Sequence, residues 1–511
     1  MDDERAQARI KELEAQVLLL TQQLDWLKRQ LFGRKSERFE HPELFDPAEP
    51  GKAPSSGHAA APEDKPQAAE QAPARREHKT RTRRLPQHLP VIEEEAAPPA
   101  EVLAEPDAWR KTSCETSDQL EKEPGYFYLR RTVRWRYVPV DQPFATPVIS
   151  PAKPRIIDNG FLGPGLLAEL LANKYLYHLP FHRQHQLNLR RHGVDIAENT
   201  MHDAAEKVGD QLGILVARMK ERMLAGGVVR SDETPVRCLD RTAPGGSKLG
   251  YFWVYRGLSG DVIFDWQTTR EHRHLAQWLG ENFEGVLLSD GYQAYAAYCE
   301  LQARRGKNVR RAACLAHIRR KFEAALKERP AVVAWILKQI AALYRIERDL
   351  EDHGATTEVR ARVRHNRSLP LIRLLGKAFK HLSATAIRPK SRLGEALHYA
   401  LGQWSAMHTF LEDGRVAIDN NATERDIRST AVGKKNWMFI GHPEAGDRSA
   451  ALYTVLISAL NHGVDPQAYL KDVIERLPTM RPNDLDALLP EVWAAENRAK
   501  HPAARDLKRV A

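Results

Sequence analysis

The segment GVVRSDETP, residues 227–235, carries the strongest indication of the fold. Its apolar start, Gly227–Arg230, predicts a short strand that leads directly to Asp232. The segment GVLLSDG, residues 285–291, has the same form and reaches Asp290, 58 residues further on. The sequence therefore predicts two strands that are each followed by a carboxylate.

The residues around these two segments alternate between strand and helix patterns. Two more strands are predicted on either side of the turn Leu258–Gly260, and a helix and a fifth strand follow. Their ranges are Gly250–Tyr255, Asp261–Trp266, Glu271–Phe283 and Arg310–Cys314. The order of three strands, helix, strand, helix and strand predicts an α/β fold with a ribonuclease-H-like catalytic core.

A long helical region separates this core from a third acidic position. Leu315–Leu411 is almost wholly helical in pattern, which predicts a large all-helical insertion over about residues 315–413. Breaks are expected at three prolines, Pro330, Pro370 and Pro389. Asp419–Asn421 then opens another helix, which carries Glu424 in its first turns.

Asp232, Asp290 and Glu424 can converge if two neighbouring strands and an adjacent helix carry them. Three carboxylates suit Mg²⁺ or Mn²⁺, and two such ions would serve an in-line displacement at a phosphodiester. The alternative interpretations are structural. Asp232 and Asp290 could be turn residues or helix N-caps, and Asn421–Glu424 has nearly the spacing of a capping box.

An apolar stripe near the start of the chain alternates spacings of three and four residues. Its members are Ile10, Leu13, Val17, Leu20, Leu24, Leu27 and Leu31. This heptad pattern predicts a coiled coil over residues 1–32 and at least a dimer, with an amphipathic helix packed on its own domain as the alternative. The composition of residues 33–104 predicts a basic region and a disordered linker. The basic run Arg75–Arg84 within it is either solvated or in contact with phosphates.

Small modules are predicted between the linker and the core. Within residues 105–150, aromatic and aliphatic residues alternate with arginine over Gly125–Val140, which indicates strands that pack on a small core or stack on bases. Residues 151–222 are helical in pattern, with Asn199 as the N-cap of a third helix, Thr200–Leu212, and a helix-turn-helix is one interpretation. The catalytic domain and a C-terminal helical element are assigned to residues 223–449 and 450–511.

The composition excludes several classes of protein. Among 511 residues, 77 Lys and Arg exceed 67 Asp and Glu, and the net charge of +10 makes nucleic acid a natural partner. Four cysteines exclude a disulfide scaffold and favour a reducing cytosol. The N-terminus lacks the form of a signal peptide, and no apolar run reaches the length of a membrane span. We therefore expect a cytoplasmic protein without a membrane partner.

Several segments together resemble bacterial insertion-sequence transposases of the TnpC type, the family named after insertion sequence sixty-six. They are SDETP (231–235), SDGYQAY (289–295), CLAHIRRKF (314–322), IDNNATERDIR (418–428) and GKKNWMFIG (433–441). The resemblance extends to LFGRKSERF (31–39), FLGPGLL (161–167) and KYLYHLPFHRQ (174–184). The DNNxxER block is the most specific of these elements.

The resemblance implies a DDE transposase that cleaves DNA at the ends of an insertion sequence and transfers the strand to target DNA. It gives Asp232, Asp290 and Glu424 the catalytic and metal-binding roles, with two Mg²⁺ (or Mn²⁺) ions. It also implies a nucleoid-associated protein whose element encodes accessory proteins. Basic residues that follow the fifth strand or Glu424 in the sequence are candidates for binding phosphates, namely Arg319, Arg320, Lys321, Arg428, Lys434 and Lys435. His317 is either near the scissile phosphate or simply packed.

One region departs from the family pattern. The family usually has a zinc module with paired CxxC knuckles before the catalytic domain, whereas Glu105–Gln142 contains only Cys114. A tetrahedral structural site takes four N or S ligands, so no structural zinc is expected in this degenerate zinc-ribbon-like module. Two other functions stay open: a catalytically inactive, domesticated dimeric DNA-binding protein, and a metal-dependent nuclease without strand transfer.

Overall fold

A computed structural model describes residues 160–385 and 387–497, together with Gly125, Phe127 and the segments 136–137, 148–149 and 154–158. All of these belong to one unit of the chain, Lys122–Ala511. The predicted coiled coil with its seven apolar residues, the linker and Cys114 lie outside the described residues, so they stay predictions. Strands β1 (Arg136–Tyr137) and β2 (Val148–Ile149) pair antiparallel.

A five-stranded mixed sheet lies at the centre of the described chain. Its strands are β3 (Val228–Leu239), β4 (Ser247–Arg256), β5 (Val262–Gln267), β6 (Gly285–Ser289) and β7 (Val309–Ala313). Their order across the sheet is β5-β4-β3-β6-β7, with β3, β4 and β5 antiparallel and β6 and β7 parallel to β3. The predicted α/β class is thus confirmed.

Strand β3 is much longer than the sequence pattern predicted. The prediction ended it at Arg230, before Asp232, but the strand continues to Leu239. The reason is its antiparallel pairing with β4, which runs from Arg230 to Leu239, whereas β6 accompanies β3 only as far as Arg230. Pro235 is tolerated because the strand has a neighbour on one side only at that point. Asp232 therefore lies inside a strand and not after one.

Three helices of the described residues precede the sheet. They are α1 (Pro164–Tyr175), α2 (Phe181–His192) and α3 (Glu198–Ala225). The prediction of Asn199 as an N-cap is wrong, because α3 begins two residues earlier than predicted and Ala197 stands at its N-cap without a side-chain hydrogen bond. The helix also continues far beyond Leu212, since an apolar stripe at helical spacing extends to Met219 and Met223 and is buried. The helix-turn-helix interpretation stays a prediction.

Helices also connect the parallel strands and form the predicted insertion. Between the strands lie α4 (His272–Leu279) and α5 (Gln293–Arg304), and after β7 follow α6 (Leu315–Ala324), α7 (Pro330–Asp352), α8 (Thr357–Val363), α9 (Leu369–Ser383), α10 (Arg392–Gly402) and α11 (Thr409–Glu412). Pro370 does not break the chain's helical path as predicted. A π-helical turn, Arg364–Ser368, joins α8 to α9 and widens the backbone just before the proline.

Four more helices complete the described residues and cover the antiparallel side of the sheet. They are α12 (Asn421–Trp437), α13 (Pro443–Asn461), α14 (Pro466–Arg476) and α15 (Pro490–Asn497). Helix α13 lies against the edge strand β5, where the hydroxyls of Ser458 and Thr454 accept hydrogen bonds from the backbone N–H groups of Val262 and Phe264, at 3.0 and 2.9 Å. The edge of the sheet is therefore covered rather than open.

Two hydrophobic cores enclose the sheet. One joins residues of α1–α3, of the antiparallel strands and of α13–α15, and the other joins β6 and β7 to the helical insertion. Within the residues that the structure describes, no helix is both long and apolar enough to cross a membrane. The two cores fix the sheet from both sides, which holds the ends of β3 and β6 in place.

Candidate active site

The two aspartates lie side by side at the point where β3 and β6 separate. The parallel register pairs Val228 with Val286 and Arg230 with Leu288. The same offset of 58 residues brings Asp232 opposite Asp290, just beyond the last paired residues. The adjacency that the sequence pattern predicted for these carboxylates is therefore built into the register of the central strands.

Glu424 is brought to the same place by helix α12. Asn420, fully buried before the first turn, donates its side-chain amide to the carbonyl of Ser231 at 2.9 Å and accepts the Thr423 hydroxyl at 2.7 Å. Near the other end of the helix, Lys434 Nζ donates to the carbonyl of Pro235 at 3.0 Å. Both ends of α12 are thus hydrogen-bonded to β3, and the helix lies along the strand that carries Asp232.

The electrostatics show that the three carboxylates form one cluster. The pKa of Asp232 is raised to about 8, first by burial, then by the charge of Glu233, and further by the charges of Asp290 and Glu424. The backbone N–H of Glu233 donates to Asp232 Oδ1 at 2.9 Å and opposes this rise. Asp232 therefore lies among negative groups that disfavour its own ionisation.

The donor set of this cluster suits a divalent cation. Of the basic side chains that the structure describes, none forms an ion pair with Asp232 or Asp290, and Glu424 Oε1 is buried without a hydrogen-bond partner. Arg320, which is largely exposed, reaches only the other oxygen of Glu424, at 3.4 Å. Hard oxygen donors such as these, of which those of Asp232 and Asp290 have no positive partner in the described chain, are the ligands that Mg²⁺ and Mn²⁺ prefer.

The purely structural roles considered for these acidic residues are confirmed only in part. Asp290 Oδ1 does accept the backbone N–H of Tyr292 at 2.8 Å, so this residue makes a turn, yet its second oxygen makes no hydrogen bond within the described chain. The capping-box interpretation of Glu424 is wrong, because Asn420 caps α12 without a side-chain hydrogen bond and the Glu424 carboxylate faces His317 and Arg320 instead.

The six predicted phosphate contacts lie on α6 and α12, the two helices that border the cluster. Arg319 pairs with Glu323 at 2.7 Å, and Lys321 lies over the ring of Tyr399, 5.7 Å from its centre. Arg320 reaches Glu424 and Lys434 reaches the backbone of β3, as described above. Arg428 and Lys435 are exposed on α12. Of these six cations, only Arg320 forms an ion pair with one of the three carboxylates in the described part of the chain.

A second polar group, which sequence reasoning missed, lies on the opposite face of β3. The buried carboxylate of Glu233 accepts the Tyr295 hydroxyl at 2.5 Å and an ion pair from Arg270, whose guanidinium lies 3.9 Å from the centre of the Tyr292 ring. Glu233 and Tyr295 belong to the quoted segments SDETP and SDGYQAY, which was the available signal. Arg270 stands in no motif, so only the fold reveals it.

Three models of protein families match the chain. The model described as Transposase IS66 family covers residues 159–448, and the one described as IS66 C-terminal element covers 455–490. A third, described as Transposase C of IS166 homeodomain, covers 19–93. The first model takes in more than half of the chain, including every strand of the central sheet and the three clustered carboxylates.

The chain is also similar to proteins of Sinorhizobium fredii. The uncharacterized protein y4jD is 31% identical over 518 aligned residues, which cover 95% of this chain and 97% of that relative. The uncharacterized protein y4hP is 29% identical over 414 residues, which cover 76% of this chain and 72% of that relative. The similarity to y4jD is therefore not confined to one domain.

Proposed function

Because the chain belongs to the IS66 transposase family, we propose that it is a DDE-type transposase that cleaves DNA at the ends of an insertion sequence and transfers the strand to a target. The resemblance found in the sequence segments is thereby confirmed at the level of the family. The observation that carries the proposal is the cluster of Asp232, Asp290 and Glu424, in which mutual repulsion and burial raise the pKa of Asp232 to about 8.

The proposal includes a ribonuclease-H-like core. It is supported by a sheet whose first three strands are antiparallel and whose last two are parallel to the central strand. Asp232 lies on that central strand, Asp290 follows its parallel neighbour, and Glu424 comes from a helix after the helical insertion. Carboxylates from three separate elements thus meet at one edge of the sheet.

In this proposal Asp232, Asp290 and Glu424 hold two Mg²⁺ (or Mn²⁺) ions, which would supply activation of the attacking oxygen and stabilisation of the leaving oxygen. The side chains of α6 and α12 hold the DNA backbone across the cluster. Water first attacks the phosphodiester at the element end, which releases a 3′-hydroxyl. That hydroxyl then attacks a phosphodiester of the target, and the target's own 3′-oxygen leaves.

The DNA partners of the proposal are the element ends and the target. Arg320 is exposed beside Glu424, and Arg428 and Lys435 are exposed on the helix that carries Glu424. A cation near a phosphate contributes affinity without sequence information. Recognition of the DNA sequence is assigned to the segments before the catalytic domain. Assembly as at least a dimer and the use of accessory proteins from the same element are parts of the proposal that rest on the heptad stripe and on the family.

The decisive experiment replaces Asp232 with asparagine. We expect Asp232→Asn to abolish Mg²⁺-dependent nicking of DNA that carries the element ends, because one ligand charge is lost, while DNA affinity stays within about twofold since distributed Lys and Arg supply it. Nicking is measured on labelled duplexes and affinity by fluorescence anisotropy. Asp352→Asn, on the exposed end of α7, is the matched control and should nick as the wild type does.

Three outcomes separate the possible functions. Undiminished nicking by Asp232→Asn would contradict the assignment of the carboxylates. A wild-type protein that binds the ends but never nicks them would indicate the inactive DNA-binding protein. Nicking without joining to a target plasmid would indicate a nuclease without strand transfer.

A further inference from the structure

A thiol and an imidazole lie beside the glutamate of the catalytic cluster. Cys314, His317 and Glu424 each offer one ligand atom, and these atoms all lie within 4.8 Å of one another. Cys314 directly precedes α6 and His317 lies in its first turn, whereas Glu424 comes from α12. The backbone N–H of Leu315 donates to the carbonyl of Ile418 at 3.1 Å, which holds the two segments together.

Two atoms of this group are buried without any hydrogen-bond partner. His317 Nδ1 and Glu424 Oε1 are 3.8 Å apart, and neither atom makes a hydrogen bond within the described chain. Buried polar atoms are rarely left unpaired, because desolvation is then uncompensated. A cation between the nitrogen and the oxygen would satisfy both of them.

The third atom is a sulfur that already accepts a backbone hydrogen bond. The N–H of Asn420 donates to Cys314 Sγ at 3.2 Å, so negative charge on this sulfur would be stabilised. Burial raises the pKa of the thiol to about 12, so it keeps its proton in the absence of a cation. When a metal ion binds, the thiolate forms and the proton passes to solvent.

We propose that Cys314 Sγ, His317 Nδ1 and Glu424 Oε1 form a three-ligand site for Zn²⁺ or a similar transition-metal dication. Thiolate and imidazole select such ions, whereas Mg²⁺ prefers oxygen alone. A tetrahedral ion with bonds of about 2.0–2.3 Å holds its ligand atoms about 3.3–3.8 Å apart. For a nitrogen and an oxygen ligand the spacing is about 3.3–3.6 Å, so the 3.8 Å between His317 and Glu424 is slightly wider than a bound ion requires. Three protein ligands leave a fourth position open, so the ion would be exchangeable and not structural.

The site has a regulatory consequence, which rests on the proposed function. Zn²⁺ bound to Glu424 Oε1 would neutralise part of the negative charge that this carboxylate offers to an ion shared with Asp232 and Asp290. Zinc bound at Cys314 and His317 would therefore weaken the binding of a catalytic ion by Glu424. Transition-metal ions would therefore antagonise Mg²⁺-dependent cleavage through this thiol.

The test titrates the full-length protein, without DNA, with Co²⁺ as a spectroscopic probe and then with Zn²⁺. The wild type should develop the near-ultraviolet absorption of a thiolate-to-cobalt charge transfer, and Zn²⁺ should remove it. Cys314→Ser should lack this band, yet serine can still accept the Asn420 N–H and so preserves the local fold. Cys299→Ser is the matched control, because this half-buried thiol on α5 lies outside the group and its loss should leave the band intact.

A second variant tests the imidazole. Loss of a supporting hydrogen bond around a metal typically weakens binding about 10–100-fold, so loss of a direct ligand in His317→Asn should raise the Kd for Zn²⁺ by at least about tenfold. A wild type without the thiolate band, or a band that survives Cys314→Ser, would overturn the proposal. Because no DNA is present, neither result depends on whether the protein transposes.

Cleavage assays then test the consequence separately. The Zn²⁺ concentration that halves Mg²⁺-dependent nicking, measured relative to each protein's own zinc-free rate, should rise by at least about tenfold in Cys314→Ser. An unchanged half-inhibitory concentration would overturn the shared use of Glu424. If neither the wild type nor the variants nick DNA, the proposed function is contradicted, whereas the result of the metal-binding test still holds.

Discussion

At the scale of a single residue, Asp265 shows how burial raises the pKa of a carboxyl group that lies outside the cluster of Asp232, Asp290 and Glu424. It lies on β5 and lines a cavity of about 260 Å³ together with Asp447 and Arg448. Burial raises the pKa of Asp265 to about 6, the hydrogen bond from Gln267 opposes the rise, and the charge of Asp447 adds to it. The folded protein therefore binds a proton here that the unfolded chain releases near pH 3.8.

We expect Asp265→Asn to stabilise the protein, with a gain that depends on pH. Because the folded pKa is the higher one, the wild type loses stability as the pH rises from about 4 to about 6, and the neutral amide avoids that loss. The difference in unfolding free energy should grow over this window and stay constant above it, at on the order of 1–3 kcal/mol. Urea denaturation at about pH 4, where the window begins, and at about pH 8, above its end, measures the difference.

The exposed Asp352 provides the comparison for this experiment, since Asp352→Asn should show no such growth with pH. A gain for Asp265→Asn that is equal at both pH values would mean that the amide acts through packing and not through ionisation.

Among the site residues, the sequence alone indicated those whose role follows from a local pattern. Asp232 and Asp290 follow apolar strand patterns at equal offsets, so their adjacency could be predicted. The buried role of Glu233 could not, because it depends on Arg270 and Tyr295, which join it only when β3 and the two connecting helices assemble. The contact between His317 and Glu424 likewise joins residues more than a hundred positions apart.

Helix α12 is the element on which the candidate site depends, and Asn420 is its main attachment. Asn420→Ala should remove the hydrogen bonds to Ser231 and Thr423 and leave a buried carbonyl unpaired, at a cost of about 1–3 kcal/mol. We expect nicking to fall by more than this loss of stability explains, because Glu424 loses its fixed position. Denaturation midpoints and nicking rates at a temperature where both proteins are folded separate the two effects.

Asn421→Ala is the matched control, because Asn421 bonds only to Asp419, through its backbone N–H and its side-chain amide. It should retain most of the stability and most of the nicking. Equal losses in the two variants would show that the segment as a whole matters and that the contact of Asn420 with β3 has no special role.

Element types were predictable from periodicity, but element lengths were not. The apolar run predicted a strand that ends at Arg230, whereas pairing with β4 extends it to Leu239. The third helix gains its length from packing against the antiparallel face of the sheet and α13, a tertiary effect that no N-cap pattern reports. Pro370 was expected to break a helix. Instead, a π-helical turn just before it accommodates the hydrogen bond that the proline cannot donate.

At the scale of the whole molecule, the five-stranded sheet is not a separate layer. One hydrophobic core joins the sheet to α1–α3 before it and to α13–α15 after it. The second core joins β6 and β7 to the helical insertion. Rotation of either set of helices against the sheet would therefore expose a core, so the described helices form a fixed frame around the carboxylates.

The prediction that the protein forms oligomers rests on the apolar stripe near the N-terminus. The seven apolar residues from Ile10 to Leu31 recur at a and d positions over three heptads, and such a narrow seam is stably buried only against another helix. The stripe lies outside the described residues, and the family model over residues 19–93 overlaps its second half. The proposed reaction at two element ends would also use two copies of the candidate active site.

We therefore expect deletion of residues 1–31 to shift the protein from a dimer or larger assembly to a monomer, measured as molar mass by light scattering after size exclusion. Leu20→Asp, which places a charge in the seam, should have the same effect. Gln22→Asp is its matched control, because position 22 lies opposite the seam, and it should keep the wild-type mass. An identical mass for the full and shortened chains would mean that the stripe packs within its own chain and that any pairing of active sites depends on another surface or on the DNA.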